Sequence, residues 1–430
     1  MKKSRTLRTK HQAPVGAPTL VTVQMPLPML AAMSNVTQDF QSLCIDAGRQ
    51  VLSAMMEQER TALCGPKWIP NPARQARRHG NTNSLIVLGG RQIEIKRPRV
   101  RSGGAGEREL PSFQWAATRD PLDHHTMEAI ACGVSTRNYL RTLDPITPTE
   151  REVAVSSSAV SRRFVAMSAA IVSTYLSRPL DQLELRVILI DGIAFGDHLI
   201  LIALGVSAGG DKIVLGVREG TTESAGVVKA LLSDLIERGL STEKPIVFVI
   251  DGAKGLRAAI VALFGKLALV QRCQVHKLRN VLDHLPETLK TGTARAIREA
   301  YECADPDIAQ RRLEQVARSL EREHPGAAAS LREGLADTLT LSRLKVGGAL
   351  YRSLRSTNPI ENLNGAVAHF ARNVRRWRGG AMIVRWVATA VREAEQKFRR
   401  LRGYKQMPEL LAALDAHAPS QPLDMRKKAA

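Results

Sequence analysis

The sequence has few aromatic residues, few cysteines and a shortage of acidic side chains. Phe, Trp and Tyr make up 4% of its 430 residues, so its cores must consist mainly of Leu, Val, Ile and Ala. The five cysteines are odd in number and far apart, which argues against a disulfide framework and fits a reducing cytoplasm. With 62 Lys and Arg against 41 Asp and Glu, the net charge of +21 predicts a polyanionic partner. Nucleic acid is the first candidate, and an acidic membrane surface is the second.

Long hydrophobic runs are also missing. No apolar stretch approaches the roughly 18 to 20 residues of a membrane-spanning helix, so we expect no membrane insertion. The basic N-terminus imitates a signal peptide, but prolines interrupt the stretch behind it, and we therefore expect a cytoplasmic protein. At roughly 150 residues per domain, the length predicts two to three domains.

The charge is distributed unevenly along the chain. Residues 1–110 hold 17 basic and 7 acidic side chains, and residues 341–410 hold 15 basic and 4 acidic ones. Residues 181–265, in contrast, hold 8 basic and 11 acidic side chains. An acidic centre between two basic arms suits an enzyme whose centre holds cations while its arms hold phosphates.

The first 120 residues predict a tail, a helix and a basic β-hairpin. Residues 1–32 are rich in proline and lack periodicity, which indicates a disordered tail. In residues 33–120, a helix is expected at 35–64 and a β-hairpin around Gly89-Gly90, at 84–88 and 91–95. The basic flanks of the hairpin either contact DNA phosphates or form a solvated edge that blocks strand pairing. The expected DNA contacts here are Arg77, Arg78, Arg97 and Arg99.

Residues 121–180 predict three helices in a helix-turn-helix-like DNA-binding region. Helices are expected at 121–132 and 135–143, and a third follows the serines at 156–158. Arg162 and Arg163 lie in the first turns of the third helix, where base contacts are made, and Arg137 is a further expected DNA contact. The alternative is an ordinary three-helix bundle.

Residues 181–285 predict an α/β domain. Three apolar runs separated by turns indicate an antiparallel meander, and a helix, a strand, a helix and a short strand follow. This order predicts a mixed five-stranded sheet of the ribonuclease-H-like kind, the first part of a catalytic core. Residues 286–345 predict a helical insertion, residues 346–400 the last part of the core, and residues 401–430 a basic C-terminal tail.

Two aspartates follow two of the apolar runs. Asp191 and Asp251 are each expected to be the first residue after a strand, and each precedes a glycine that permits a sharp turn or a close ligand. Two carboxylates at neighbouring strand ends repel each other unless they share a proton or a cation, and oxygen ligands favour Mg²⁺ or Mn²⁺. The alternative is that each Asp serves only its own turn.

Glu361 is the third candidate, because it is the sole acidic residue between Asp337 and Glu393, a window with ten Lys and Arg. A structural explanation also exists, since the segment predicts a capping box with Asn358 as the cap, Pro359 at the first helical position and Glu361 at the third. The two interpretations are compatible, since capping would fix the side chain near the helix start.

Four segments together resemble the mutator-type family of bacterial insertion-sequence transposases, which are DDE enzymes, over roughly residues 35–400. The segments are Ile190-Asp191-Gly192, Val249-Ile250-Asp251-Gly252, residues 270–280 (VQRCQVHKLRN) and residues 356–364 (STNPIENLN), and residues 133–137 are also similar. The resemblance implies that Asp191, Asp251 and Glu361 bind the catalytic metals, with a helical insertion before the Glu. The spacings of 60 and 110 residues between them fit this pattern.

Cys273 and His276 form a Cys-x-x-His pair inside the third segment. Zinc would need four ligands, and His284 and Cys303 lack convincing spacing. The alternative is one helical turn with the Cys packed and the His facing the cleft. The resemblance implies a family signature beside the catalytic site, so we expect His276 to act next to the metal ligands or on the scissile phosphate. Arg272 and Lys277 are then expected to contact DNA phosphates or to be solvated.

Residues 372–378, here called the arginine segment, interleave Trp377 with arginines. Arg375, Arg376 and Arg378 are expected to clamp DNA phosphates. Trp377 either stacks on a base or packs into the core.

These features predict a transposase that binds the terminal inverted repeats of its insertion sequence. It would cleave and transfer strands of double-stranded DNA, including target DNA, with two Mg²⁺ or Mn²⁺ ions per active site. We expect at least a homodimer on DNA, associated with the nucleoid. The alternatives are a catalytically silent, transposase-derived repressor and a ribonuclease-H-like, structure-selective nuclease. A repressor would bind ends and cut nothing, whereas the nuclease would cut branched DNA regardless of terminal sequence.

Overall fold

The computed structural model describes residues 40–72, 74–88, 91–102, 106–118, 129–130, 134–135, 137–139, 157–220 and 224–417. These residues form two compact units. The N-terminal unit comprises residues 40–118, and the C-terminal unit comprises the described residues from 129 onward. The predicted tail at 1–32 lies outside the described residues, as does most of the helices expected at 121–132 and 135–143.

The N-terminal unit packs a long helix against a small antiparallel sheet. Its elements are α1 (Phe40–Cys64), β1 (Arg77–Leu88), β2 (Arg91–Ser102), β3 (Gly106–Arg108) and α2 (Pro111–Thr118). Leu52 and Met56 of α1 pack with Ile86 and Ile95 of the hairpin, so one helix face and one sheet face share a core.

The hairpin is present but longer than predicted. Residues 96–101 belong to β2 and pair with residues 77–83 of β1, with one register shift between Arg78 and Asn81. Gly80 lies at this shift with a φ of 69°. Apolar alternation did not reveal this half of the hairpin because its side chains are mostly charged or polar.

The C-terminal unit is built around a mixed five-stranded sheet in the order β6-β5-β4-β7-β8. Its first elements are α3 (Ser157–Leu176), β4 (Leu185–Phe195), β5 (His198–Ser207), β6 (Lys212–Gly220), α4 (Ala225–Glu237), β7 (Ile246–Ile250), α5 (Lys254–Phe264) and β8 (Ala268–Arg272). Strands β4 to β6 form an antiparallel meander, and β7 and β8 run parallel to β4. The predicted order of elements in the sheet is confirmed.

Both faces of this sheet are covered. Ile188 and Ile190 of β4 pack with the α4 and α5 side, whereas Val187 and Leu189 pack with helices from the C-terminal part of the chain. The alternation follows from the two-residue period of a strand. A sheet buried on both sides needs apolar residues at nearly every position, which explains the continuous apolar run before Asp191.

The segment expected to be a helical insertion is helical. Helix α6 (Gln274–Leu282) precedes this segment, which contains α7 (Glu287–Tyr301), α8 (Pro306–Glu321), α9 (Pro325–Arg332) and α10 (Thr340–Arg343). Asp305 caps α8, because its carboxylate accepts the backbone N–H groups of Asp307 and Ile308. Helix α9 ends at Arg332, and Gly334 turns the chain with a φ of 63°.

Four helices complete the unit: α11 (Gly348–Leu354), α12 (Asn358–Ala371), α13 (Gly380–Glu395) and α14 (Met407–His417). The expectation of a C-terminal tail is wrong for residues 401–417, because Leu410 and Leu414 of α14 are fully buried in the core beneath the sheet. The helical period of Met407, Leu410 and Leu414 is the signal that the basic charge obscured. No helix in the described parts of the chain combines the length and apolar character needed to cross a bilayer.

Helix α3 was expected to be the third helix of a DNA-binding module. It packs instead against α13 within the C-terminal unit, with the rings of Phe164 and Trp386 4.5 Å apart. Tyr175 of the same helix hydrogen-bonds to Glu395. Arg162, which is exposed in the second turn of α3, therefore projects from a helix that is anchored on the C-terminal unit.

Candidate active site

The pairing of β4 with β7 places Asp191 and Asp251 side by side at neighbouring strands of the sheet. Leu189 of β4 pairs with Val249 of the neighbouring parallel strand β7, and continuing that register by two residues aligns the aspartates. Adjacent strands lie about 4.8 Å apart. Asp251 directly follows β7, as predicted, but Asp191 lies inside β4, because residues 192–195 continue to pair with β5.

The glycine after Asp251 was expected to permit a sharp turn or a close ligand. In the structure Gly252 instead allows the side chain of Arg272 to approach the backbone closely. Its φ is 109°, and a Cβ atom at this position would lie 2.0 Å from Nε of Arg272. Arg272 donates to the backbone oxygen of Glu333 at 2.8 Å and pairs with its carboxylate at 3.3 Å. The Asp251 carboxylate accepts the N–H of Ala253 at 2.9 Å, which fixes one of its oxygens.

Glu361 lies in the first turn of α12. The predicted capping box is wrong by one residue, because the helix begins at Asn358 and the N-cap is Thr357, which forms no side-chain cap. The Thr357 hydroxyl instead donates to Oε1 of Glu361 at 2.5 Å. The side chain of Glu361 is therefore held by a hydroxyl one helical turn away, and it is half-buried.

Cys273 and His276 both contact Thr357. Cys273, fully buried, is the N-cap of α6, and its sulfur accepts the backbone N–H of Thr357 at 3.4 Å. The Thr357 hydroxyl lies 3.3 Å from Nδ1 of His276, and Nε2 of His276 lies 3.8 Å from Oε1 of Glu361. The Cys-x-x-His segment is thus tied to the helix that carries Glu361, with the Cys packed and the His facing the carboxylates.

Asn364 is a site residue that the sequence analysis quoted but did not single out. It lies one helical turn after Glu361 on α12 and donates from Nδ2 to Oδ2 of Asp191 at 2.8 Å. Its side-chain oxygen is buried without a hydrogen-bond partner among the described residues. The three-residue spacing from Glu361, which places both side chains on one helix face, was the available signal.

The site is electrostatically strained. Burial, with repulsion from the carboxylates of Asp251 and Glu361, raises the pKa of Asp191 to about 6. Interaction with Cys273, followed by the nearby Glu361 and Asp251, raises the pKa of His276. Hydrogen bonds from His276 and Thr357 lower the pKa of the Cys273 thiol, although burial opposes them.

The side chains of this site offer oxygen atoms of the kind that Mg²⁺ and Mn²⁺ prefer as ligands. A shared cation would relieve the repulsion that Asp251 and Glu361 exert on the buried Asp191 carboxylate, and the unpartnered Asn364 oxygen is a further hard ligand atom nearby. Within the described part of the chain, however, no three His, Cys, Asp or Glu side chains stand close enough to hold a metal ion. Asp191, Asp251 and Glu361 would therefore have to close further around an ion.

The whole region matches a known protein family. Residues 24–400 match the family described as "Transposase, Mutator family". The chain belongs to this family. The match includes Asp191, Asp251 and Glu361, and it agrees with the resemblance found in the sequence.

Curated relatives of this Mutator-family chain are insertion-sequence transposases. The transposase for ISRM5 of Rhizobium meliloti is 27% identical over 366 residues, covering 84% of this chain and 89% of the relative. The transposase for IS1081 of Mycobacterium tuberculosis is 26% identical over 376 residues, covering 84% and 88%. The transposase for IST2 of Acidithiobacillus ferrooxidans is 32% identical over 170 residues, covering 40% of this chain and 56% of the relative.

Two of the expected DNA contacts of this family member are buried. Lys277 is fully buried and donates to the backbone oxygens of Ser330 and Glu333, and Arg272 is 7% exposed. Neither side chain is presented to a phosphate, so these two predictions are wrong for this conformation. Both cations tie β8 and α6 to the segment around Glu333.

The remaining expected contacts differ in their surroundings. In the N-terminal unit, Arg78 pairs with Glu57, and Arg97 and Arg99 both pair with Glu107. The side chain of Arg163 lies outside the described residues. The exposed members of the set are Arg77, Arg137, Arg162, Arg375, Arg376 and Arg378.

Trp377 of the arginine segment packs into the core, the second of its two predicted roles. Its ring lies 5.0 Å from that of Phe195 and 6.5 Å from that of Trp386. This packing anchors the segment while its arginines remain exposed.

Proposed function

We propose that the protein is a DDE transposase that cleaves the ends of its insertion sequence and joins them to target DNA. The observation that carries the proposal is the register of β4 with β7, which aligns Asp191 with Asp251, together with the charge of Glu361 on α12, which acts on Asp191. Membership of the Mutator family and relatives named as insertion-sequence transposases support it.

The sheet order supports a ribonuclease-H-like core. An antiparallel meander continued by two parallel strands, with helices on both faces, is the arrangement expected from the sequence. In this core, Asp191, Asp251 and Glu361 come from three different elements, and helices α7 to α10 lie between the second and third carboxylates in the chain.

The three carboxylates would hold two divalent ions, Mg²⁺ or Mn²⁺. Such ions activate the attacking oxygen and stabilise the leaving oxygen of an in-line displacement at phosphorus. Asp191 and Asp251 come from the rigid sheet, whereas Glu361 is held by Thr357 and completes the set from α12. His276, whose pKa is raised by its hydrogen bond with Cys273, lies beside Glu361 and would contact the scissile phosphate.

DNA would be held by exposed basic side chains. The arginine segment presents Arg375, Arg376 and Arg378 on a base anchored by Trp377, in the C-terminal unit that carries the carboxylates. Arg77, Arg137 and Arg162 are exposed elsewhere in the described chain. Contacts of this kind position the duplex, and terminal inverted repeats would be read by base contacts. Joining two ends requires at least a dimer on DNA, and such a protein would be associated with the nucleoid.

The test uses a plasmid that carries the native element. Wild-type protein, the variant Glu361→Gln and the matched control Glu393→Gln are expressed, and element circles and strand-transfer joints are amplified across their junctions. We expect products with wild type and with Glu393→Gln but none with Glu361→Gln. Equal products from all three would remove Glu361 from the catalytic set. End binding without products from wild type would favour a repressor, and cutting of branched DNA of any sequence would favour a structure-selective nuclease.

A further inference from the structure

Asn364 makes a contact that its helix does not need. It is 8% exposed in α12, it donates from Nδ2 to Oδ2 of Asp191 at 2.8 Å, and its oxygen has no partner among the described residues. Asn is a poor helix former, and a buried, unsatisfied oxygen is unfavourable. An apolar residue at this position would stabilise the fold more than Asn does. The presence of Asn is therefore explained by the hydrogen bond that its amide donates to Asp191.

A neutral donor has a particular effect on a carboxylate. The amide N–H fixes the orientation of Asp191 by occupying Oδ2, but it brings no positive charge. Lys or Arg at this position would neutralise the carboxylate and compete with a cation. The negative charge that would attract a divalent ion is therefore preserved, and Oδ1 of Asp191 is left in a defined place.

The contact also links two elements of the site. Asn364 and Glu361 are three residues apart on one face of α12, whereas Asp191 belongs to β4. The Nδ2 to Oδ2 hydrogen bond ties the helix that carries the third carboxylate to the strand that carries the first. It therefore controls the separation of two groups that must close around the same ions.

We infer that Asn364 is a positioning residue, which orients Asp191 and couples α12 to β4 so that the carboxylates can bind divalent ions. The inference rests on the proposed function. Partners of this kind typically change metal affinity by 10–100-fold when they are removed.

The experiment measures ion binding apart from DNA chemistry. Binding of Mn²⁺ to the full-length protein without DNA is followed by calorimetry, and cleavage of a terminal-repeat duplex is followed as a function of Mg²⁺ concentration. The variants are Asn364→Ala and Asn364→Leu, of which the second keeps the branched shape and the number of side-chain heavy atoms. Asn362→Ala is the matched control, because Asn362 is exposed on the same helix.

We expect both Asn364 variants to weaken Mn²⁺ binding by 10–100-fold and to raise the half-saturating Mg²⁺ concentration by a similar factor. Cleavage should recover at high Mg²⁺, and Asn362→Ala should match wild type. Unchanged ion affinity in both Asn364 variants, or a loss of cleavage that no Mg²⁺ concentration restores in a folded Leu variant, would overturn the inference. If wild type itself neither binds Mn²⁺ nor cleaves, the proposed function fails instead.

Discussion

Replacing Gly252 with Ala should destabilise the C-terminal unit strongly, for two separate reasons. The φ of 109° disfavours any residue with a Cβ atom, at a cost of about 1–2 kcal/mol. The new methyl group would also lie 2.0 Å from Nε and 2.6 Å from Cζ of Arg272. Arg272 would have to leave its position and lose its bonds to Glu333, for about another 1.5–3 kcal/mol.

The sum is a loss of about 3–5 kcal/mol in the free energy of unfolding. At about 2–4 °C per kcal/mol for a unit of this size, the melting temperature should fall by about 10 °C. Thermal unfolding followed by circular dichroism measures this shift. Gly292→Ala is the control, because Gly292 is exposed in α7 with nothing near its Cβ position, and Ala should stabilise that helix by about 1 kcal/mol.

A double-mutant cycle separates the two costs. In an Arg272→Ala background the clash is removed, so Gly252→Ala should cost only the backbone strain of about 1–2 kcal/mol. A Gly252→Ala variant as stable as wild type would refute the reasoning. An equal cost in both backgrounds would show that the contact with Arg272 is irrelevant and that only the backbone matters.

Three further predictions concern the site and its surroundings. Thr357→Val should lower the rate of end cleavage about 10-fold at an unchanged melting temperature, because Glu361 loses the hydroxyl that holds its carboxylate. An unchanged cleavage rate would contradict this positioning of Glu361 by Thr357. Burial lowers the pKa of Lys277 to about 8 from its ordinary 10.5. Between these two pH values the unfolded chain binds more protons than the folded chain, so the free energy of unfolding should rise with pH. Denaturant unfolding at pH 7.5 and 10 should show that rise in wild type and not in Lys277→Met. Changing Arg375, Arg376 and Arg378 to Gln should reduce the salt dependence of DNA binding by about one phosphate contact each, and an unchanged slope would exclude them as phosphate contacts.

The sheet was predictable because its strands carry strong local signals. Apolar runs end near Asp191 and Asp251, turns separate the first three runs, and amphipathic helices separate the last ones. The extension of β4 beyond Asp191 was not visible, because the residues after it resemble a turn and their pairing with β5 decides their structure. The Asp-Gly pair at 191–192 therefore lies in a strand and not at its end.

The functions of the charged residues were harder to predict. Nothing local distinguishes Lys277, which is buried against carbonyl groups more than 50 residues away, from an exposed lysine on a basic helix. Arg272 is similar, because its partner Glu333 belongs to a distant segment. Thr357 and Asn364 were inside a segment recognised as characteristic, yet their contacts with Glu361 and Asp191 emerge only when β4 and α12 pack together.

The central claim, that Asp191, Asp251 and Glu361 hold divalent ions during strand cleavage, is tested most directly by changing the ligand atom. Asp251→Cys places a thiolate, which binds Mn²⁺ better than Mg²⁺, where the carboxylate stood. Cleavage of a labelled terminal-repeat duplex is then compared in Mg²⁺ and in Mn²⁺, with Asp251→Ala alongside. We expect no cleavage by either variant in Mg²⁺, and recovery in Mn²⁺ by the Cys variant alone. Wild-type cleavage by Asp251→Ala in Mg²⁺ would contradict it.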